Sequence, residues 1–158
     1  MPEIQRDEVR SAIEGLRLPA VVLRIFDGEN VHPALNFRAE SPYYSFTDGS
    51  GLDSTFLPLW ECGVSISGYS RSLAEYQKIN LETPGAPSFS STTFRGLFCD
   101  LLIFLWEDEH EEATLSELTT LFEMPPIEQL LHRLETRPPY SVEWDAWRAN
   151  VIEQYENS

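Results

Sequence analysis

Residues 94–106, FRGLFCDLLIFLW, form the longest apolar run in the chain and constrain its fold more than any other stretch. Phe94, Leu97, Phe98, Leu101, Leu102 and Leu105 recur at the spacing of one helix face. Ile103, Phe104 and Trp106 carry apolar surface round to the other side, so this helix needs cover on more than one face and belongs centrally. Arg95 and Asp100 interrupt the run, which leaves it short of the roughly 20 apolar residues that cross a bilayer. Ser90, Ser91 and Thr92 stand just ahead of it as sources of an N-cap hydroxyl.

The chain before this helix divides in two. Ile4, Val9, Ala12, Ile13 and Leu16 predict an amphipathic helix over residues 3–17, ended by Pro19. AVVLRIF at 20–26 is β-branched enough for a strand and equally able to continue as helix, and Asp27-Gly28-Glu29-Asn30 reads as a turn. From 34 to 81 the character is β: ALNFRA, YYSF, TFLPLWE, VSISGYSR and EYQKINLE are short segments separated by Gly, Pro, Asp and Ser. Asp48-Gly49-Ser50-Gly51 is the best hairpin signal. Pro58 inside FLPLW predicts an edge position or a bulge. Alternation in VSIS and QKINL predicts an antiparallel sheet with one covered and one wetter face.

Beyond Trp106 the chain is acidic, then helical. Thr114-Leu115-Ser116-Glu117 fits a capping box, predicting a short helix over 115–123 with Leu115, Leu118 and Phe122 inward. Ile127, Leu130, Leu131 and Leu134 form another stripe, bounded by Pro138-Pro139. Ser141 is placed to cap a last helix lined by Trp144, Trp147, Val151 and Tyr155. Helix, strands, then helices predict one α+β domain over residues 1–158, with an antiparallel or mixed sheet of about five or six strands, helices packed on one face and a helical C-terminal segment.

A chain of 158 residues, 42% hydrophobic, can bury a substantial core. Its formal net charge of −15 repels nucleic-acid phosphates and anionic membrane surfaces and attracts basic proteins. Lys78 is the single lysine, so the basic–aromatic interleaving of a nucleic-acid binder is missing. Cys62 and Cys99 form no CxxC pair and read as reduced thiols. The opening residues lack a signal-peptide core, which by default makes the chain cytoplasmic.

Chemistry-bearing motifs are sparse. There is no HExxH, no phosphate-binding Gly loop, no GxSxG elbow and no zinc spacing, so no catalytic residue, metal or cofactor is expected. The concentrated polar feature is EDEHEE, in which Glu107, Asp108, Glu109, Glu111 and Glu112 flank His110. This run can meet a basic partner, hold a divalent cation, or stand as plain solvated surface; carboxylates at a helix C-terminus oppose the dipole and favour a chain break there. Among the tyrosines, Tyr69 and Tyr76 are candidate contacts because tyrosine brings area and a polar tip to an interface, although cross-strand packing also accounts for them.

The order FLPLWECG, Gly68-Tyr69, INLE and then PGAPSFSSTTFRGLFCDLLIFLWEDE resembles the SUKH superfamily, and ELTTLFEMPPIEQLLHRL resembles that family's trailing short helices. The similarity covers about residues 55–134. It implies a non-enzymatic α+β scaffold whose bacterial members are immunity proteins that bind and neutralise a toxin, often a nuclease. The family shares a scaffold and not a set of catalytic residues, so the resemblance assigns no site. The expected function is a non-catalytic module that blocks a basic toxin domain through an acidic surface. The alternatives are a regulatory or scaffold adaptor, and a metal-dependent hydrolase using carboxylate and His groups. Oligomeric state is left open.

Overall fold

A computed structural model describes residues 2–47, 50–136 and 143–157. Among these lie α1 (Pro2–Gly15), α2 (Ala20–Phe26), β1 (Phe56–Cys62), β2 (Ser65–Ser70), β3 (Glu75–Asn80), β4 (Phe89–Ser91), α3 (Phe94–Glu107), α4 (Glu112–Leu121), α5 (Glu128–Glu135) and α6 (Glu143–Glu156). The strands form one antiparallel sheet in the order β1-β2-β3-β4, so the class is α+β. The chain resolves into two compact units, Met1–Leu97 and Phe98–Ser158, and the division falls within α3.

The sheet has four strands among the described residues, where the sequence suggests about five or six. ALNFRA and YYSF account for the difference. Pro33 presets a helical φ and opens a 3-10 turn at Pro33–Leu35, and Tyr44–Phe46 forms a second. What survives of strand character here is one backbone bridge, in which Glu40 and Glu61 exchange N–H···O bonds of 2.9 and 2.8 Å. The segment 48–51 therefore joins a 3-10 turn to β1 and links no strand pair; residues 48–49 lie outside the described residues. The fourth strand, Phe89–Ser91, draws Ser90 and Ser91 into the sheet, and the cap of α3 passes to Thr93, whose Oγ1 accepts from the Gly96 N–H at 3.1 Å.

Pro58 behaves as its chemistry requires. It sits in the outermost strand, and the pairing steps from Pro58↔Gly68 to Trp60↔Ser67, leaving Leu59 as the extra residue of a bulge. Ile66 faces Ile79 across β2 and β3 and, with Phe56, makes a buried cluster closed by Leu52 and Leu81. Gly68 is what lets Phe56 lie there: a Cβ at this position would stand 2.2 Å from the Leu57 carbonyl oxygen and 2.8 Å from the Phe56 ring.

Helices α1 and α2 pack against β1, burying Ile13, Val21, Val22, Ile25 and Phe26. The ambiguous AVVLRIF is helical, and the Phe26 carbonyl at its end accepts from the Ser41 hydroxyl at 2.5 Å and from Arg6. Arg6 Nη2 donates to Phe26 O (2.6 Å) and to Ser41 Oγ (2.7 Å), while its Nη1 donates to Pro42 O (2.6 Å). The same guanidinium lies 4.5 Å from the Phe26 ring centroid and 5.1 Å from that of Phe46. Arg10 grips Asp27 through two 2.8 Å bonds, which hold the Asp27 carboxyl below its usual range.

In the second unit the apolar stripes fall as their spacing dictates. Leu115, Leu118 and Phe122 are buried, as are Ile127, Leu130, Leu131 and Leu134. Phe98 meets Phe122 at 4.6 Å between centroids, and the Tyr155 hydroxyl donates to Pro125 O at 2.9 Å. The Thr114–Glu117 capping box goes unused, because α4 already starts at Glu112 and its N-cap, Glu111, makes no side-chain cap. The expected Ser141 cap and Pro138-Pro139 stop lie outside the described residues. Asp100, only 3% exposed, accepts from Arg148 Nη2 at 2.6 Å, an ion pair that ties α6 to α3 within this unit.

Two substitutions of one kind separate close approach from open space. Gly68→Ala should lose about 1–3 kcal/mol through overpacking against the neighbouring strand. Gly15→Ala, where nothing lies within 4 Å of the added methyl, should gain about 0.5–1 kcal/mol by helix propensity. Urea unfolding of both variants measures the opposite signs. In the second unit, Arg148→Met strips the ion pair from a buried carboxylate and should cost about 3–5 kcal/mol, most of which the added change Asp100→Leu restores.

Candidate partner-binding site

The acidic run forms the connection between α3 and α4. Its geometry is a complete helix-ending motif: the His110 N–H donates to Leu105 O (3.2 Å), and the Glu109 N–H to Trp106 O (3.0 Å). That motif needs a left-handed residue at its bend, usually glycine, and Glu109 occupies it with φ +66°. The turn is therefore fixed by backbone bonds, and it holds its side chains out. Glu107, Asp108, Glu109, Glu111 and Glu112 are all exposed.

Charge and dipole act in opposite directions along these six residues. Glu107 and Asp108 sit at the negative end of α3, which disfavours them, whereas Glu111 and Glu112 lie at the positive end of α4 and are favoured there. The half-buried His110 places its Nε2 3.7 Å from Asp108 Oδ2, an ion pair when the imidazole is protonated. Among the described residues no group of three or more His, Cys, Asp or Glu side chains is arranged to hold a metal ion.

The two tyrosines belong to the other unit and have different fates. Tyr76 is 7% exposed, with Phe94 5.7 Å and Tyr69 4.8 Å away between ring centroids. Tyr69↔Tyr76 is a cross-strand pair of β2 and β3, so Tyr76 serves the interior and the half-buried Tyr69 covers it. Burial, with the Tyr69 phenol beside it, pushes the Tyr76 hydroxyl up to about 12. Burial likewise pushes the Cys99 thiol up, while Cys62 is half-buried; both cysteines are free.

The aromatic surface lies elsewhere. Phe37 is 75% exposed and Tyr43 69%, with Tyr44 stacked edge-on against Tyr43 at 5.3 Å. Sequence reasoning places Tyr43 and Tyr44 among strand residues and gives Phe37 no role; periodicity carries no signal for a ring held out by a 3-10 turn. Glu61 is a second residue that alternation hides. It is 4% exposed, and its carboxylate accepts from the Ser45 N–H (2.9 Å), the Ser45 hydroxyl (2.6 Å) and the Tyr44 N–H (3.2 Å). No helix among the described residues is long and apolar enough to cross a membrane. No family model, curated protein or solved structure matches this chain.

The Tyr76 environment sets an alkaline limit. The folded chain keeps this proton up to about pH 12 while an unfolded tyrosine releases it near 10, so the contribution is whole below pH 10 and declines as pH rises through 12. Unfolding midpoints taken from pH 9 to 12 should fall for the wild type. The raised Cys99 thiol adds to that fall with the same sign, so the difference from Tyr76→Phe, whose curve should be flatter, isolates the phenol.

Proposed function

We propose that the chain is a non-catalytic protein-binding module of SUKH type, an immunity protein that neutralises a basic, nuclease-type toxin in the cytoplasm. The observation that carries this reading is the α3–α4 turn, where five exposed carboxylates stand on a backbone fixed by its own hydrogen bonds, in a chain of net charge −15. A nuclease is basic where it grips phosphate. An acidic inhibitor occupies that surface by the same forces, associates fast through long-range attraction, and excludes the substrate. Rigidity matters to the argument, since a turn fixed by its own hydrogen bonds loses little backbone freedom on binding. The resemblance over about residues 55–134 supports the same reading from the sequence.

The test is capture from lysates of toxin-bearing cells on immobilised protein, with a salt gradient as the wash. The expected result is a basic nuclease held to high salt and inhibited by the protein. Charge reversal at Glu109→Lys and Glu111→Lys should lower the association rate about tenfold at low ionic strength and flatten its salt dependence. Unchanged rates would remove this turn from the interface, and retention of housekeeping proteins alone would favour the adaptor reading.

A further inference from the structure

A second feature of the first unit carries its own chemistry. A cavity of about 340 Å³ opens between the α2–3-10 connection and the segment that leads to Glu40; Glu29, His32, Asn36, Phe37 and Glu40 supply its polar and aromatic lining. The lining holds two carboxylates and neither Lys nor Arg. Glu29 is engaged by Arg24 Nε at 2.7 Å, whereas the Glu40 carboxylate has no partner among the described residues. The opening thus keeps one uncompensated negative charge beside an exposed ring.

That ring is fixed in place. Phe37 has φ +65°, a region that bulky L side chains rarely adopt, and its neighbours pin the backbone there. The N–H groups of Arg38 and Ala39 both donate to Leu35 O, at 3.0 and 2.8 Å, and the Cys62 thiol donates to Phe37 O at 3.4 Å. Three residues on, Glu40 is held by both of its backbone bonds to Glu61. On the other wall, His32 Nδ1 accepts from the Ala34 N–H at 3.0 Å, which orients the imidazole. An aromatic side chain kept in water, on a left-handed residue, by a braced backbone is a preorganised contact. It has no role in the core, since three-quarters of it is exposed.

We infer that this cavity is a socket for an arginine or lysine side chain of the basic protein partner, with Glu40 pairing the cation and the Phe37 ring lying against it. The inference rests on the reading of the chain as a binder of a basic protein and adds a second, shape-specific contact to it. Cation over ring and carboxylate beside it is the arrangement that a guanidinium satisfies best, because it is planar, weakly hydrated and rich in donors. An open cavity with a fixed anchor gives specificity that a diffuse acidic surface lacks.

The experiment titrates the full ¹⁵N-labelled chain with Ac-Gly-Arg-Gly-Arg-Gly-NH₂ at low salt, and with the citrulline peptide of the same shape and no charge. Expected are amide shifts concentrated at residues 29–41 and at least tenfold weaker binding of the citrulline peptide. Phe37→Gly suits a positive φ, so its melting midpoint should not fall while its affinity drops at least fivefold; Glu40→Gln should weaken binding similarly. Shifts confined to 107–112, or an unchanged affinity in Phe37→Gly, would overturn the socket and leave electrostatic capture by the acidic turn standing. Absence of shifts anywhere would overturn both.

Discussion

One buried carboxylate organises the irregular part of the first unit. Glu61 is a strand residue whose backbone pairs with Glu40 while its side chain gathers three hydrogen bonds from Tyr44 and Ser45. A buried polar group is tolerable only where it is hydrogen-bonded, so the 3-10 turn at Tyr44–Phe46 has to close over β1 in this geometry. Arg6 adds a second set of bonds to the same stretch. Its guanidinium bonds Pro42, Ser41 and Phe26 and lies near the Phe26 and Phe46 rings. From these two side chains, residues 40–46 receive hydrogen bonds that a further strand would have received from a ladder. The outer edge of β1 is thereby occupied without a fifth strand.

The second unit uses the same device once more. Asp100 interrupts the apolar helix α3 at a buried position, and Arg148 of α6 reaches it through a partly buried side chain. A purely apolar pair could be as stable, but an ion pair admits few alternatives for how α6 meets α3. Helix α6 needs that help. Its buried residues Trp144, Val151, Ile152 and Tyr155 mix with half-buried Trp147 and Arg148, so its apolar face alone specifies its rotation weakly.

Local physics was legible in the sequence; remote partners were not. The helix at 94–106, the stripes at 115–122 and 127–134, and the bulge at Pro58 all follow from spacing or from a missing N–H, and each stands where that reasoning puts it. The segments ALNFRA and YYSF have strand-like composition, yet Pro33 starts one as a helical turn and Glu61, sixteen residues beyond Ser45, captures the other. The N-cap moved to Thr93 for a similar reason: Ser90 and Ser91 were taken into β4, a strand of three residues that pairing with β3 creates and that no alternation announces. Of the candidate contacts, the acidic run was visible as charge, its fixed turn was not, and Tyr76 proved to be interior.

Among the exposed residues whose backbone favours glycine are Phe37 in the first unit, at φ +65°, and Glu109 in the second, at φ +66°. Glycine would ease both positions, and neither side chain repays the strain with a buried contact inside the fold, since both are exposed. The other non-glycine residues of positive φ among the described residues, Arg17, Ala74 and Glu123, are also exposed but include no large aromatic and no member of a charge cluster. Local strain that serves no internal packing motivates the hypothesis that the side chain acts through what it presents outward. An acid and an aromatic ring, each on a braced backbone, are the two groups that a cationic protein surface engages most strongly. Under the proposed function, the strain at these two residues and the net charge of the chain have one physical explanation in common.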